Sequence, residues 1–193
     1  MPEPGTARDR ILREAWSMIE AGRLGDLTMG AVAAAAGVSR QTVYVQFGGR
    51  AGLLVQMVRE SDEQNPRGDL VDEALATPHP VEALDAVTRT LAGWWPEIHP
   101  IAHALFAAAL TDEGARAAWE DRMVHLHALT SAVVDRLAAE GALAAAWEPA
   151  TASDWLAAQL NPITWVLLVA GSGWTQERYE ERMTAIARDV LVQ

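Results

Sequence analysis

Residues 27–54 read LTMGAVAAAAGVSRQTVYVQFGGRAGLL, and their spacing decides how the rest of the chain is read. Thr28 is placed to cap a helix opening at Met29, its hydroxyl accepting from a first-turn amide that has no partner within the helix. Gly37 closes that helix, because glycine takes left-handed C-terminal geometry without a Cβ penalty. Ser39 caps a second, short helix running to about Phe47, and Gly48 and Gly49 punctuate it. Val32, Ala36 and Val38 face inward on one side of the turn, and Val43 and Phe47 on the other. The small residues Ala33 to Ala36 let two helices approach closely at a steep angle. This is the spacing of a helix-turn-helix. It also suits an ordinary helical hairpin with a solvated polar face.

In a helix-turn-helix the second helix presents its outward side chains to the major groove. Here those are Arg40, Gln41, Thr42, Tyr44, Val45 and Gln46. Arginine can bond two acceptors of guanine, and glutamine can do the same on adenine. Threonine and tyrosine hydroxyls, with the backbone amides behind the caps Thr28 and Ser39, reach phosphates. Arg50 opens the next helix and can neutralise one more.

Upstream, Ile11, Leu12, Ala15, Trp16 and Ile19 recur at helical spacing between Thr6 and Gly22. Downstream, a helix over 50–63 carries Leu53, Leu54, Met57 and Val58 on one face. A looser stretch spans 65–80, from NPRGD to TPHP, with a helical turn or two over 70–76. Further helices are predicted over 81–95, 100–110, 112–140, 151–171 and 175–192. Pro162 falls inside the penultimate one and should kink it. Alanine, the strongest helix former, supplies 37 of the 193 residues. The expectation is an all-α fold of about nine helices.

Length allows one ordinary domain or two small ones, which excludes a large multidomain enzyme. The absence of cysteine removes disulfide scaffolds, thiolate zinc sites and a cysteine nucleophile. The net charge is −11, and all 15 basic residues are arginine. Polyanionic phosphate prefers a basic partner, so the total argues against nucleic acid. The regional count reverses this. Residues 1–60 hold seven arginines against six acids, a balance of +1, and residues 61–193 hold eight against twenty, a balance of −12. The acidic load belongs to the second part of the chain, which should face away from DNA; it also favours solubility. The first ten residues, MPEPGTARDR, are polar and show no secretory signal. The most apolar run, 155–170, is interrupted by Gln159, Asn161 and Pro162, and is short for a membrane span of about 20 residues. A cytoplasmic protein with no membrane partner is expected.

The pattern LT…VA…AGVS…T.Y..F..R..LL over 27–54, behind one amphipathic helix, resembles the tetracycline-repressor (TetR) family of bacterial regulators. Two positions depart from the family pattern. Arg50 stands where the family usually has lysine, which preserves the charge but not the geometry. Gly30 stands where the family often has a polar or basic residue, so no phosphate contact is expected from it. The resemblance implies a helix-turn-helix DNA-binding domain over 1–49 and a helical ligand-binding and dimerisation domain over 50–193. It implies a homodimer whose two reading helices enter successive major grooves of a palindromic operator, about 34–36 Å apart. It further implies a small-molecule effector that lowers DNA affinity, with the helix over 50–63 linking pocket to reading head, and no cofactor.

In the family the last two long helices pair with their copies. Here the interface residues would be Trp155, Ile163, Val166 and Leu167 on one helix and Tyr179, Met183, Ile186 and Val190 on the other. A buried central helix within one subunit would explain the same apolar surface. Seven of the eight tryptophans lie beyond residue 90. Trp94, Trp95, Trp119 and Trp165, with His99, His103, Phe106, Met123, His127 and Asn161, are candidates to line a mostly apolar cavity with a few polar handles. Any single one also suits a core. The pairs His99/His103 and His125/His127 invite a zinc reading. Pro100 interrupts the first pair and the H-E-x-x-H pattern is absent, so no metal is expected. No Gly-rich phosphate loop, G-x-S-x-G elbow or spaced acid pair appears, so the chain is read as a regulator, not an enzyme. The reading is a repressor released by a small apolar or aromatic effector. The alternatives are a DNA-binding helical protein without an effector, or a helical enzyme that carries no motif.

Overall fold

The computed structural model describes residues 5–64 and 68–193; the NPR of the expected loose stretch lies outside them. Thr6 opens helix α1 (Ala7–Glu20) with a reciprocal cap: its hydroxyl accepts from the Asp9 amide while the Asp9 carboxylate accepts from the Thr6 amide. A 3₁₀ turn, Leu24–Asp26, leads to α2 (Met29–Ala35), α3 (Arg40–Phe47) and α4 (Arg50–Gln64). Then follow α5 (Gly68–Leu75), α6 (Pro80–Gly93), α7 (Trp95–Ala109) and α8 (Glu113–Ala139). The chain ends with α9 (Pro149–Gln159), α10 (Pro162–Trp165), a π-helical stretch Val166–Gly171, and α11 (Gln176–Leu191). The fold is all-α, and the only extended pairing among the described residues is an isolated bridge between Leu143 and Val192. No described helix is long and apolar enough to cross a membrane.

Among the described residues eleven α-helices stand where about nine were expected; the break at Pro162 and a full helix in place of the turn or two over 70–76 make the difference. The predicted helix over 151–171 is two pieces. Pro162 does not kink it from within; Asn161 ends one helix and caps the next, its side-chain oxygen accepting from the Ile163 amide at 2.9 Å. Proline suits this first helical position because its missing N–H would have no partner there anyway. Pro100 behaves in the opposite way. It was expected to begin a helix, yet α7 runs through it. Proline cannot donate to the carbonyl four residues back, and that carbonyl, of Pro96, instead meets Nδ1 of His99 at 3.2 Å. A carbonyl only accepts, so this contact requires the proton on Nδ1. The expected turn or two over 70–76 is helix α5, closed by Arg136 of α8, which donates to the carbonyls of Leu75, Thr77 and Pro78 at 2.6 Å each.

The chain forms two compact units, residues up to 65 with 100–119, and 66–99 with 120–193. The core of the first joins Ile11, Leu12 and Ala15 of α1 to Val32, Val43, Phe47, Leu53, Leu54 and Met57, with Ile101 and Leu105 of α7. The second closes around Leu84, Val87 and Leu91 of α6, Val133 and Leu137 of α8, Leu156 of α9 and Tyr179 of α11. In both, apolar residues at three- and four-residue spacing put one helix face inward.

A candidate nucleic-acid interface

The α2–α3 pair is assembled by short-range chemistry. Thr28 caps α2 by accepting from the Ala31 amide at 3.1 Å. The α2 end turns on Gly37, whose φ of 65° is a left-handed value that side chains rarely tolerate. Ser39 then caps α3, accepting from the Thr42 amide at 3.0 Å, while the Ser39 and Thr42 hydroxyls meet at 2.8 Å. Gly48 closes α3 in left-handed geometry, its amide donating to the Tyr44 carbonyl at 2.8 Å. Val43 and Phe47 are the buried residues of α3 and pin it against Val32, Ala33 and Ala36.

Burying Val43 and Phe47 forces the rest of α3 outward. Arg40, Gln41, Tyr44, Val45 and Gln46 are exposed, and Thr42 is half-buried beside its cap. The structure therefore gathers these residues on one solvent face. Two are coupled: the Arg40 guanidinium carbon lies 5.5 Å from the Tyr44 ring centroid, and one guanidinium nitrogen lies 3.4 Å from the Tyr44 hydroxyl. This cation–π contact orders a side chain that would otherwise sample many rotamers.

Arg50 has a role the sequence did not show. Its Nε donates to the Leu27 carbonyl at 3.0 Å, joining the first residue of α4 to the residue before the α2 cap. The guanidinium is otherwise exposed, so its terminal nitrogens can still face a phosphate. Arg10 acts similarly. Its Nε is 3.4 Å from the carbonyl of Ala36, where α2 ends, and its Nη1 donates to the Gly5 carbonyl at 3.1 Å. Neither strut could have been read from sequence, because each joins segments more than twenty residues apart.

The candidate pocket residues are divided between the two units. His103, Phe106 and Trp119 lie in the first unit, where the Phe106 and Trp119 rings sit 5.1 Å apart and His103 is exposed. Trp94, Trp95, His99, Met123, His127, Asn161 and Trp165 lie in the second. There His99 stacks obliquely on Trp165 with centroids 4.4 Å apart, and the Asn161 amide nitrogen meets the Met123 sulfur at 3.1 Å. Trp95 and Trp165 are buried in the second core. Gln176, which sequence reasoning missed, accepts from the Trp165 indole at 2.7 Å and donates to the Ala92 carbonyl at 3.1 Å. His127 is turned to Asp154, at 2.9 Å, and to the Ser131 hydroxyl, at 3.3 Å.

Of the candidate interface residues, Leu167 is 63% exposed. Trp155, Ile163, Val166, Ile186 and Val190 are half-buried. Tyr179 and Met183 are buried in the core of the second unit. Burial pushes the Tyr179 phenol well above its ordinary range, against a smaller opposing effect of the Trp95 indole.

Residues 11–57 match the family model of bacterial regulatory proteins, tetR family. Solved structures extend the likeness to the whole chain. A transcriptional regulator from Saccharomonospora viridis in complex with choline superposes with a TM-score of 0.77 at 15% identity, covering 97% of this chain and 98% of that one. A SmeT–triclosan complex gives 0.70 at 13% identity, covering 97% and 92%. A TetR-family regulator from Rhodococcus gives 0.66 at 19% identity, covering 96% and 98%. No curated protein sequence matches the chain significantly. At these identities the solved structures speak for the fold, and the match over 11–57 speaks for the DNA-binding domain. Over residues 11–57 the chain therefore carries the tetR-family domain of bacterial regulatory proteins, within a fold that it shares along its whole length with these solved structures.

Proposed function

We propose that the protein is a cytoplasmic, homodimeric repressor that binds a palindromic operator and is released by a small, largely apolar effector. The observation that carries the DNA-binding part is the solvent face of α3, where Arg40, Gln41, Tyr44, Val45 and Gln46 are exposed while Val43 and Phe47 hold the helix to its core. Thr28 and Ser39 present their helices' first amides, and Arg50 adds one positive charge. The first 60 residues carry only +1, so one subunit offers weak attraction and two half-sites are needed. Half-sites one helical turn apart, about 34–36 Å, would match a two-fold dimer.

The effector part has separate support. Related folds are described in complex with choline and with triclosan. The second unit here holds Trp95, His99, Trp165 and Tyr179 together with the polar groups of Asn161 and Gln176. A cavity opened among these residues would favour flat apolar ligands, with few polar handles to hold them. Effector and operator must oppose each other reciprocally, by about 1–3 kcal/mol. The test is a thermal-shift screen of apolar and aromatic compounds, followed by titration of operator duplex with and without each hit. A compound that stabilises the protein and releases the duplex supports the reading. Compounds that bind tightly and leave DNA affinity unchanged refute the coupling.

A further inference from the structure

We propose that Val45 reads a thymine in each operator half-site, through the C5-methyl group of the base. The inference rests on the DNA-binding reading above and specifies what part of that surface recognises. Val45 is 76% exposed, more than Leu110, Leu167 or Val124, the other strongly exposed large apolar residues. It sits in the middle of α3, between Tyr44 and Gln46, on a face otherwise made of Arg40, Gln41, Tyr44 and Gln46. Core packing does not explain it, because Val43 and Phe47 are the residues of this helix that are buried. Helix propensity does not explain it either, since a β-branched side chain is stiff at χ1 and slightly disfavoured in a helix.

The chemistry of the groove supplies an explanation. Its base edges are polar donors and acceptors with one apolar exception, the methyl of thymine. A valine offers two methyl groups, fixed in direction by its restricted χ1, and no polar atom that would be left unpaired. Gln41 lies one turn earlier on the same ridge. Four residues of helix advance about 6 Å, close to two base-pair steps, so Gln41 can take an adenine near the thymine that Val45 contacts. Arg40 is committed to the neighbouring ridge by its contact with Tyr44. The expected half-site therefore contains a thymine whose methyl, and not only its hydrogen-bonding edge, contributes to affinity.

The experiment uses full-length protein and duplexes it enriches from a random-sequence pool. Each thymine of the enriched duplex is replaced in turn by deoxyuridine, symmetrically in both half-sites, which deletes the methyl group alone. One position should weaken wild-type binding by about threefold to fivefold per half-site, the scale of one buried methyl. Val45→Ala should bind the thymine duplex as weakly as the wild type binds that deoxyuridine duplex, and should lose discrimination at that position alone. Its melting temperature should match the wild type, because the side chain is exposed. Equal wild-type affinity for every deoxyuridine duplex overturns the proposal, as does Val45→Ala retaining the discrimination. A pool that yields no enriched sequence overturns the DNA-binding reading itself, a result distinct from a selected duplex indifferent to deoxyuridine.

Discussion

Arg50 makes one contact in this structure and is proposed to make a second, to a DNA phosphate, and Arg50→Lys separates the two. Its Nε donates to the Leu27 carbonyl at 3.0 Å, which fixes the start of α4 against the entry to α2. A hydrogen bond from a charged donor contributes about 1.5–3 kcal/mol. Because Arg50 is exposed, water competes for both partners, and about 1 kcal/mol is the better figure. For a chain of this size that lowers the melting temperature by about 2–4 °C. Lysine carries its charge on a terminal ammonium and has no side-chain N–H equivalent to Nε. It cannot hold Leu27 and face a phosphate with separate nitrogens. Arg50→Lys should therefore melt lower by that amount while keeping the wild-type salt dependence of DNA binding. Arg50→Ala should melt lower equally, and should also flatten the slope of log affinity against log salt by about 0.9 for each subunit. The assays are thermal denaturation by circular dichroism and fluorescence anisotropy of labelled duplex across a salt series. An Arg50→Lys variant that melts like the wild type refutes the strut. An Arg50→Ala variant with the wild-type slope refutes the phosphate contact.

Other expectations follow from the same geometry. Ser39→Ala removes the cap of α3 and should cost about 1 kcal/mol, measured as a lower denaturation midpoint; an unchanged midpoint would show that the 3.0 Å bond to the Thr42 amide contributes nothing. Asn161→Ala deletes the acceptor for the Ile163 amide and the contact with Met123, so it should destabilise the second unit by about 1 kcal/mol and alter tryptophan emission from the adjacent Trp165. The buried Tyr179 phenol is raised above its ordinary value by desolvation. Its contribution is present below the unfolded value, about 10, and is lost as pH rises from there toward the folded value. Stability should fall more steeply above that pH in the wild type than in Tyr179→Phe. Asp9 is lowered first by its hydrogen bonds to the Thr6 side chain and backbone. Its contribution is present above the ordinary carboxylate value, about 3.9, and is lost as pH falls through the folded value; Asp9→Asn should blunt that acid-side loss.

What could be read from sequence was local. The helix-turn-helix was legible because Thr28, Gly37, Ser39, Val43, Phe47 and Gly48 each act within four residues, through caps, a left-handed turn and one buried face. The two prolines show where local reading stops. Proline is compatible with a first helical turn and with a kinked interior. The choice was made by a neighbour in each case: Asn161 caps the helix that Pro162 begins, and His99 fills the acceptor that Pro100 leaves empty. Long-range struts were out of reach. Arg50 reads as a phosphate contact and Arg10 only as one of seven arginines in residues 1–60, yet each spends part of its guanidinium on a distant backbone carbonyl. The family resemblance places Tyr179 and Met183 at an interface, because periodicity marks an apolar face without naming its partner. In the structure these two side chains lie in the core of the second unit.

The central claim is that α3 reads DNA sequence. The most direct measurement compares binding of the full-length protein to its enriched duplex and to a shuffled duplex of identical composition, at the same salt concentration. Equal composition removes bulk electrostatics, so any difference reports base reading. The enriched duplex should be an imperfect inverted repeat, bound at least about a thousandfold more tightly than the shuffled one. Equal affinity for the two would contradict the claim.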